Sequence, residues 1–504
     1  MKLPKNSLID YVKQYNIGLY VLLILLLGTT TVSPGYNQPA ELFWDENYHI
    51  ASAQKYIDGV MFMEPHPPLG KMLLALGEYI TQANQNVDTK NLLKTDYLQN
   101  GMKPKNLSFT GYRLVPVILM ILTAVLFFFI VMNISNNSHI AFLSSLLLLF
   151  DNALVVHARS AMLESTQLFF MLAAILYFTL AIKKNRITLK TYLILASLIA
   201  LVISVKVNGA ILLLLLAFLF FYEQKEAIKN KKISQVLNRL VVTAPLSILS
   251  IAMVFLLFMY AHIVSGSKIE NNQTYKASPA YQELITQGDI YSPTAFIVAL
   301  KDNLKFMSEY ADGVPTLDIC KDGENGSLAV GWPLGTKTIN YRWDKETIDG
   351  KQQASYLYLQ SNPLVWITSG IGVLLSVSLL IGRFVYNAPV KDESLFWWIT
   401  VFSTLYVSYM IAIIQIDRVM YLYHYFIPLM FALINLPLIF SYIFSDELIK
   451  QPKHSYINLL IFTALVIASF IHFSPFTYYL PLTEQEFQLR QWFDFWQLHS
   501  VTQK

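Results

Sequence analysis

The chain has 504 residues, 55% of them hydrophobic and 14% charged, with a formal net charge of +4 and a mean hydropathy of +0.44. A soluble domain carries about 25% charged residues, and the many apolar runs here are long enough to cross a bilayer core of about 30 Å, so the composition excludes a soluble globular protein and implies a polytopic helical membrane protein. The single cysteine, Cys320, excludes an intrachain disulfide and any multi-cysteine metal site; basic residues confined to short loops give no surface for nucleic acid.

Hydropathy predicts about eleven membrane helices, near 17–33, 113–133, 139–155, 163–182, 190–205, 208–222, 240–264, 361–382, 394–414, 420–442 and 455–473. The first follows Lys2, Lys5 and Lys13 but has no A-x-A-like cleavage site after it, so it reads as an uncleaved span and not a signal peptide. With the N-terminus in the cytoplasm, the short basic loops all fall on one side. They carry Lys183, Lys184, Arg186 and Lys190; Lys225, Lys229, Lys231, Lys232 and Arg239; Arg383 and Lys391; and Lys450 and Lys453. That is the positive-inside pattern. Two long segments, 34–112 and 265–360, and the C-terminal tail then lie outside. The expected organisation is a seven-span module over 1–264, an outer loop over 265–360, a four-span module over 361–473 and an outer tail over 474–504. Long ordered loops are usually functional, and the absence of an internal repeat disfavours duplicated transporter folds.

The first outer segment begins with Phe43-Trp44-Asp45-Glu46. One carboxylate of such a pair can take a proton from an acceptor hydroxyl while its neighbour raises its pKa and holds the acceptor; the plainer reading is a solvated acidic pair. Downstream lies His66-Pro67-Pro68-Leu69-Gly70-Lys71. The prolines suit a helix start, after which Leu69, Met72, Leu73, Leu76 and Ile80 form one stripe with Lys71 and Glu78 opposite. This predicts an amphipathic helix in the membrane interface, its start holding His66 at headgroup depth. His66 and Lys71 are therefore expected among the substrate-contacting residues.

Four more groups collect at the outer boundary. Arg159, in the turn after Asp151-Asn152, either reaches for lipid headgroups or grips a donor phosphate with its planar fork. Glu164 starts the next span and is read as structural, capping a helix N-terminus or pairing with Arg159. Lys206, in Ser204-Val205-Lys206, sits in apolar sequence where ionisable residues are functional candidates. Arg418 and His424 flank Tyr421-Leu422-Tyr423, whose tyrosines an aromatic belt would explain. Arg159, Lys206, Arg418 and His424 are thus expected to converge on one anionic headgroup, across from Asp45 and Glu46. No nucleotide motif is present, no metal is expected, and a weak divalent site at Asp45/Glu46 is left open.

These residues resemble the protein O-mannosyltransferase family. The likeness is carried by Trp44-Asp45-Glu46, the His66-Pro67-Pro68-Leu69-Gly70-Lys71 block, Arg159, Ser204-Val205-Lys206, Gly331-Trp332-Pro333-Leu334, Asn362-Pro363-Leu364-Val365-Trp366, Tyr423-His424-Tyr425 and the tail around Arg490-Gln491-Trp492-Phe493. The resemblance implies a GT-C-type membrane glycosyltransferase with eleven spans and no cofactor. It implies inverting transfer of mannose from a polyprenyl-phosphate donor to Ser or Thr of secreted or membrane proteins. Asp45 would correspond to the base, Glu46 to its acceptor-side neighbour and Arg159 to a phosphate contact. Two departures stand out: the 265–360 loop is too short for the β-trefoil MIR domain of eukaryotic members, which points to a bacterial-type member in the inner membrane, and Glu164 stands where the family usually has Asp. Two other readings are kept: a transferase acting on a glycolipid or cell-wall acceptor, like the lipid A aminoarabinose transferases, and a transporter of lipid-linked sugars.

Overall fold

A computed structural model describes residues 6–270, 276–348 and 350–502. Every one of the predicted apolar segments lies on a helix. Eight helices among the described residues are long and apolar enough to span, or nine if the bent pair Ser138–Leu149 and Asn152–Ala158 counts as one span. Two further predicted spans coincide with the first helix, Asn6–Val32, of 27 residues, and with Leu189–Val205, of 17 residues; the latter, at 1.5 Å per residue, falls a few residues below the usual spanning length.

The bend between Ser138–Leu149 and Asn152–Ala158 is 64° and has a local cause. Asp151 caps the second helix, its carboxylate accepting from the Leu154 N–H at 2.9 Å and from the Asn362 N–H at 3.2 Å. Asn362 in turn caps the Pro363–Tyr386 helix and donates to the Phe150 and Val466 carbonyls. Three helices are thereby pinned where the chain turns, and the Asn152–Ala158 segment packs against the first helix and the last span.

That loop contains the helices Glu46–Asp58 and Leu69–Thr81. The second is the predicted amphipathic helix, with one correction. Of the predicted stripe, Leu76 and Ile80 are exposed, Met72 and Leu73 half-buried and Leu69 buried, while Lys71 and Glu78 are buried in protein and do not face water. Close packing holds it there: a Cβ on Gly77 would sit 2.3 Å from the Gly111 carbonyl oxygen, and one on Gly70 would sit 2.9 Å from Leu163.

The second outer segment supplies two helices, Pro279–Thr286 and Pro293–Asp312, and a hairpin of β1 (Ile339–Ile348) and β2 (Lys351–Leu359). The tail adds β3 (Pro481–Leu482) to give the order β1-β2-β3. Among the described residues this small sheet is the addition to the expected helical fold. It packs through Tyr356, Tyr358, Phe473, Phe476, Phe487 and Trp496 onto the end of the last span.

Candidate active site

The backbone prepares Asp45 before any side chain is considered. Trp44, just before it, has φ of 52°, a left-handed conformation that a bulky residue adopts only when its surroundings impose it. The indole is held against Tyr341 and Tyr421, at 5.4 and 5.1 Å between ring centres. Asp45 then stands at the N-terminus of Glu46–Asp58, where an aspartate ordinarily caps the helix. Here its carboxylate makes no capping hydrogen bond. Among the described residues its one donor is the Tyr423 hydroxyl, at 3.4 Å. Burial raises its pKa above the ordinary 3.8, against the pull of Lys206, with Glu164 adding to the rise.

Glu46 is placed quite differently, and the expected acceptor-side role does not fit its surroundings. It is fully buried. Oε1 accepts from Arg113 Nε at 2.8 Å and from the Ala161 N–H at 2.7 Å, and Oε2 accepts from Arg113 Nη2 at 2.8 Å. Arg113 also donates to the Pro39 and Glu41 carbonyls. Glu46 is therefore a clamp joining the first outer loop to the Thr110–Ser135 helix and the 159–163 turn. With both its oxygens taken, it does not form a chelating pair with Asp45. Among the described residues no group of three or more His, Cys, Asp or Glu side chains is arranged to hold a metal ion.

The cations divide along similar lines. Lys71 is ion-paired with buried Glu64 and donates to Ser52 Oγ at 3.4 Å. Lys206 is ion-paired with Glu164 and lies 5.4 Å from the Tyr423 ring centre. Glu164 also meets His157 Nε2 at 2.7 Å, and His157 Nδ1 meets the Tyr341 hydroxyl at 2.8 Å. Glu164 is thus structural as expected, but its partners are Lys206 and His157 and not Arg159. Arg159 is turned away from Asp45: it donates to the carbonyls of Val32, Pro34 and Gly35 and stacks on Tyr478 at 4.7 Å. Its fork closes the end of the first helix, which corrects the expectation of a phosphate contact.

The other expected residues do gather. His424 stacks on Tyr423 at 4.6 Å, and with Glu164, Lys206 and Asn208 these rings line a small polar cavity. His66 lies near Lys206, Lys71 and His49; burial first, and then the Lys206 and Lys71 charges, hold its pKa well below 6.5. Its ring makes no hydrogen bond to a described residue. Arg418 is likewise without a hydrogen-bond or ion-pair partner among the described residues, and it sits at the rim: Tyr310 and Tyr421 feel both its charge and that of Asp45.

Two buried ion pairs, Lys71–Glu64 and Lys206–Glu164, thus leave Asp45 as a carboxylate with no cation of its own. An uncompensated, desolvated carboxylate walled by aromatic rings is suited to accept a proton. Sequence reasoning missed Arg113, Glu64, His157 and Tyr341. A histidine inside the apolar run 153–158 and an acid beside Met61-Phe62-Met63 were the available signals for two of them.

Comparison with known proteins follows the same lines. The family model described as dolichyl-phosphate-mannose-protein mannosyltransferase matches residues 22–265. A second, the C-terminal four TMM region of protein-O-mannosyltransferase, matches residues 317–496. Protein O-mannosyl-transferase 1 of Danio rerio is 29% identical over 177 residues, 35% of this chain and 23% of the relative. Dolichyl-phosphate-mannose--protein mannosyltransferase 4 of Schizosaccharomyces pombe is 31% identical over 163 residues, 32% of this chain and 20% of the relative. The matched segments span only about a fifth of such relatives' own length. The solved S. cerevisiae protein O-mannosyltransferase Pmt1-Pmt2 complex bound to the sugar donor shares the fold, with a TM-score of 0.77 at 15% identity over 95% of this chain and 92% of that one. With one family model on the Asp45 half and the other on the half that carries Tyr341 and His424, the chain belongs to the protein O-mannosyltransferase family.

Proposed function

We propose that this protein is an inverting glycosyltransferase that moves mannose from a polyprenyl-phosphate donor to Ser or Thr hydroxyls of proteins at the extracytoplasmic face of the membrane. The observation that carries the reading is the unpaired, uncapped Asp45 carboxylate beside the Lys206–Glu164 pair. Asp45 takes the proton as the acceptor oxygen attacks the anomeric carbon, and single displacement inverts that centre. The departing lipid phosphate meets Lys206, which exchanges part of its contact with Glu164 for the incoming charge. Arg418, without a hydrogen-bond or ion-pair partner among the described residues, supplies a second contact from the rim, and His66 a hydrogen bond. Family membership and the shared fold support the sugar donor and the protein acceptor. The loops rich in Lys and Arg support a cytoplasmic N-terminus with the site outside, in the inner membrane.

Proteoliposomes given radiolabelled polyprenyl-phosphate mannose together with a Ser/Thr-rich peptide and a glycolipid test this reading. Label is expected in the peptide; label in the glycolipid alone would favour the lipid-acceptor transferase instead.

A further inference from the structure

In the order β1-β2-β3, β1 is an edge strand, and among the described residues no backbone hydrogen bond leaves its outer side. Proteins usually shorten, cover or charge such an edge, because its free N–H and C=O groups template another strand. This edge carries the charged residues Arg342, Asp344, Lys345 and Glu346, and its 340–344 stretch faces a cleft of about 520 Å³ across from Phe43, Trp44, Asn47 and Tyr97 of the first outer loop. Two buried acceptors among its lining residues, Asn47 Oδ1 and Asn340 Oδ1, have no hydrogen-bond donor among the described residues, a cost that a bound N–H group would relieve. The β1–β2 register slips between Asn340 and Arg342, a bulge at Tyr341 of the kind that re-aims a side chain beside a site. Tyr341 accordingly packs on Phe43 and Trp44 and reaches His157, so the strand runs directly past the residues that set Asp45.

We propose that this cleft is the acceptor site, and that the acceptor binds as an extended Ser/Thr-bearing peptide that adds a fourth strand along the free edge of β1. Main-chain pairing gives affinity with little demand on sequence, and alternate side chains face the two walls. A hydroxyl side chain on the Trp44 side is thereby presented towards Asp45, whereas a helical or tightly folded acceptor cannot make the pairing. The inference rests on the protein-acceptor reading above.

Acceptor peptides with a single backbone N-methyl group, walked one residue at a time past the target Ser, test it in proteoliposomes. Methylation at alternate positions is expected to raise the peptide KM about fivefold per lost hydrogen bond, with intervening positions unaffected and the donor KM unchanged. Transfer that is indifferent to N-methylation, or equally sensitive at every position, overturns the strand-addition model while leaving the function intact. If no peptide accepts label, the functional reading fails and a turnover-independent arm decides the cleft. In that arm p-benzoylphenylalanine replaces half-exposed Trp343; a photo-adduct with radiolabelled peptide, competed by excess peptide, supports the site and no adduct overturns it.

Discussion

Glu46→Gln separates a structural from a chemical role for the second acidic residue of the pair. In the wild type Glu46 receives three hydrogen bonds, two from the Arg113 guanidinium and one from the Ala161 N–H, with neither carboxylate nor guanidinium exposed. The amide keeps one oxygen, which can face Arg113 Nε and Ala161, but it turns an NH2 group towards Arg113 Nη2 and leaves a buried guanidinium without its counter-charge. Removing one member of a buried pair costs about 3–5 kcal/mol, and the loss falls on the joint between the first outer loop and the Thr110–Ser135 helix. Thermal unfolding in detergent should therefore show a lowered midpoint. Activity should fall with the folded fraction, and be restored towards normal at low temperature or by added donor. An unchanged midpoint with a kcat reduced a hundredfold or more would refute this reasoning and return Glu46 to the acceptor.

Other outcomes follow from the same geometry. Lys206→Met leaves Glu164 with His157 as its remaining partner; a stability loss of about 3 kcal/mol and a higher donor KM are expected, both measurable in one preparation. Because burial raises the Asp45 pKa above 3.8, the base is lost on acidification at a higher pH than an ordinary aspartate, and kcat/KM should fall with unit slope below that point. The linkage has the opposite sign for stability: a carboxyl with a raised folded-state pKa favours the folded state as it protonates, so Asp45 itself contributes more stability as pH falls through that window. Gly77→Val puts side-chain atoms into the Gly111 backbone; overpacking of this kind costs about 1–3 kcal/mol, and a thermal shift assay should register it with weaker binding of both substrates.

Much of the fold was legible because it rests on local pattern. Apolar runs marked the helices, and the period of Leu69, Met72, Leu73, Leu76 and Ile80 marked the interfacial helix. Chain-order chemistry at Trp44-Asp45 marked the carboxylate that makes no capping hydrogen bond and is proposed as the base. What failed was the pairing of charges distant in sequence. Arg159 and Glu164 are neighbours in the chain, but the 64° bend turns Arg159 towards Pro34 and Gly35 while Lys206, 42 residues beyond Glu164, arrives to pair with it. Glu46 looked exposed because it adjoins Asp45; consecutive residues at a helix start point in different directions, and here one points into the site and the other at Arg113. The sheet escaped notice because β1, Ile339–Ile348, mixes Asn340, Arg342, Asp344, Lys345 and Glu346 with few apolar residues, which is the composition of an edge and not of a core strand.

The central claim is tested most directly by Asp45→Asn in proteoliposomes with labelled polyprenyl-phosphate mannose and a Ser/Thr peptide. The amide still accepts from the Tyr423 hydroxyl, and no ion pair is broken, so unfolding temperature and donor binding should be kept. Loss of the base should lower transfer by about a hundredfold to ten-thousandfold. Wild-type rates in a folded Asp45→Asn protein would contradict the account.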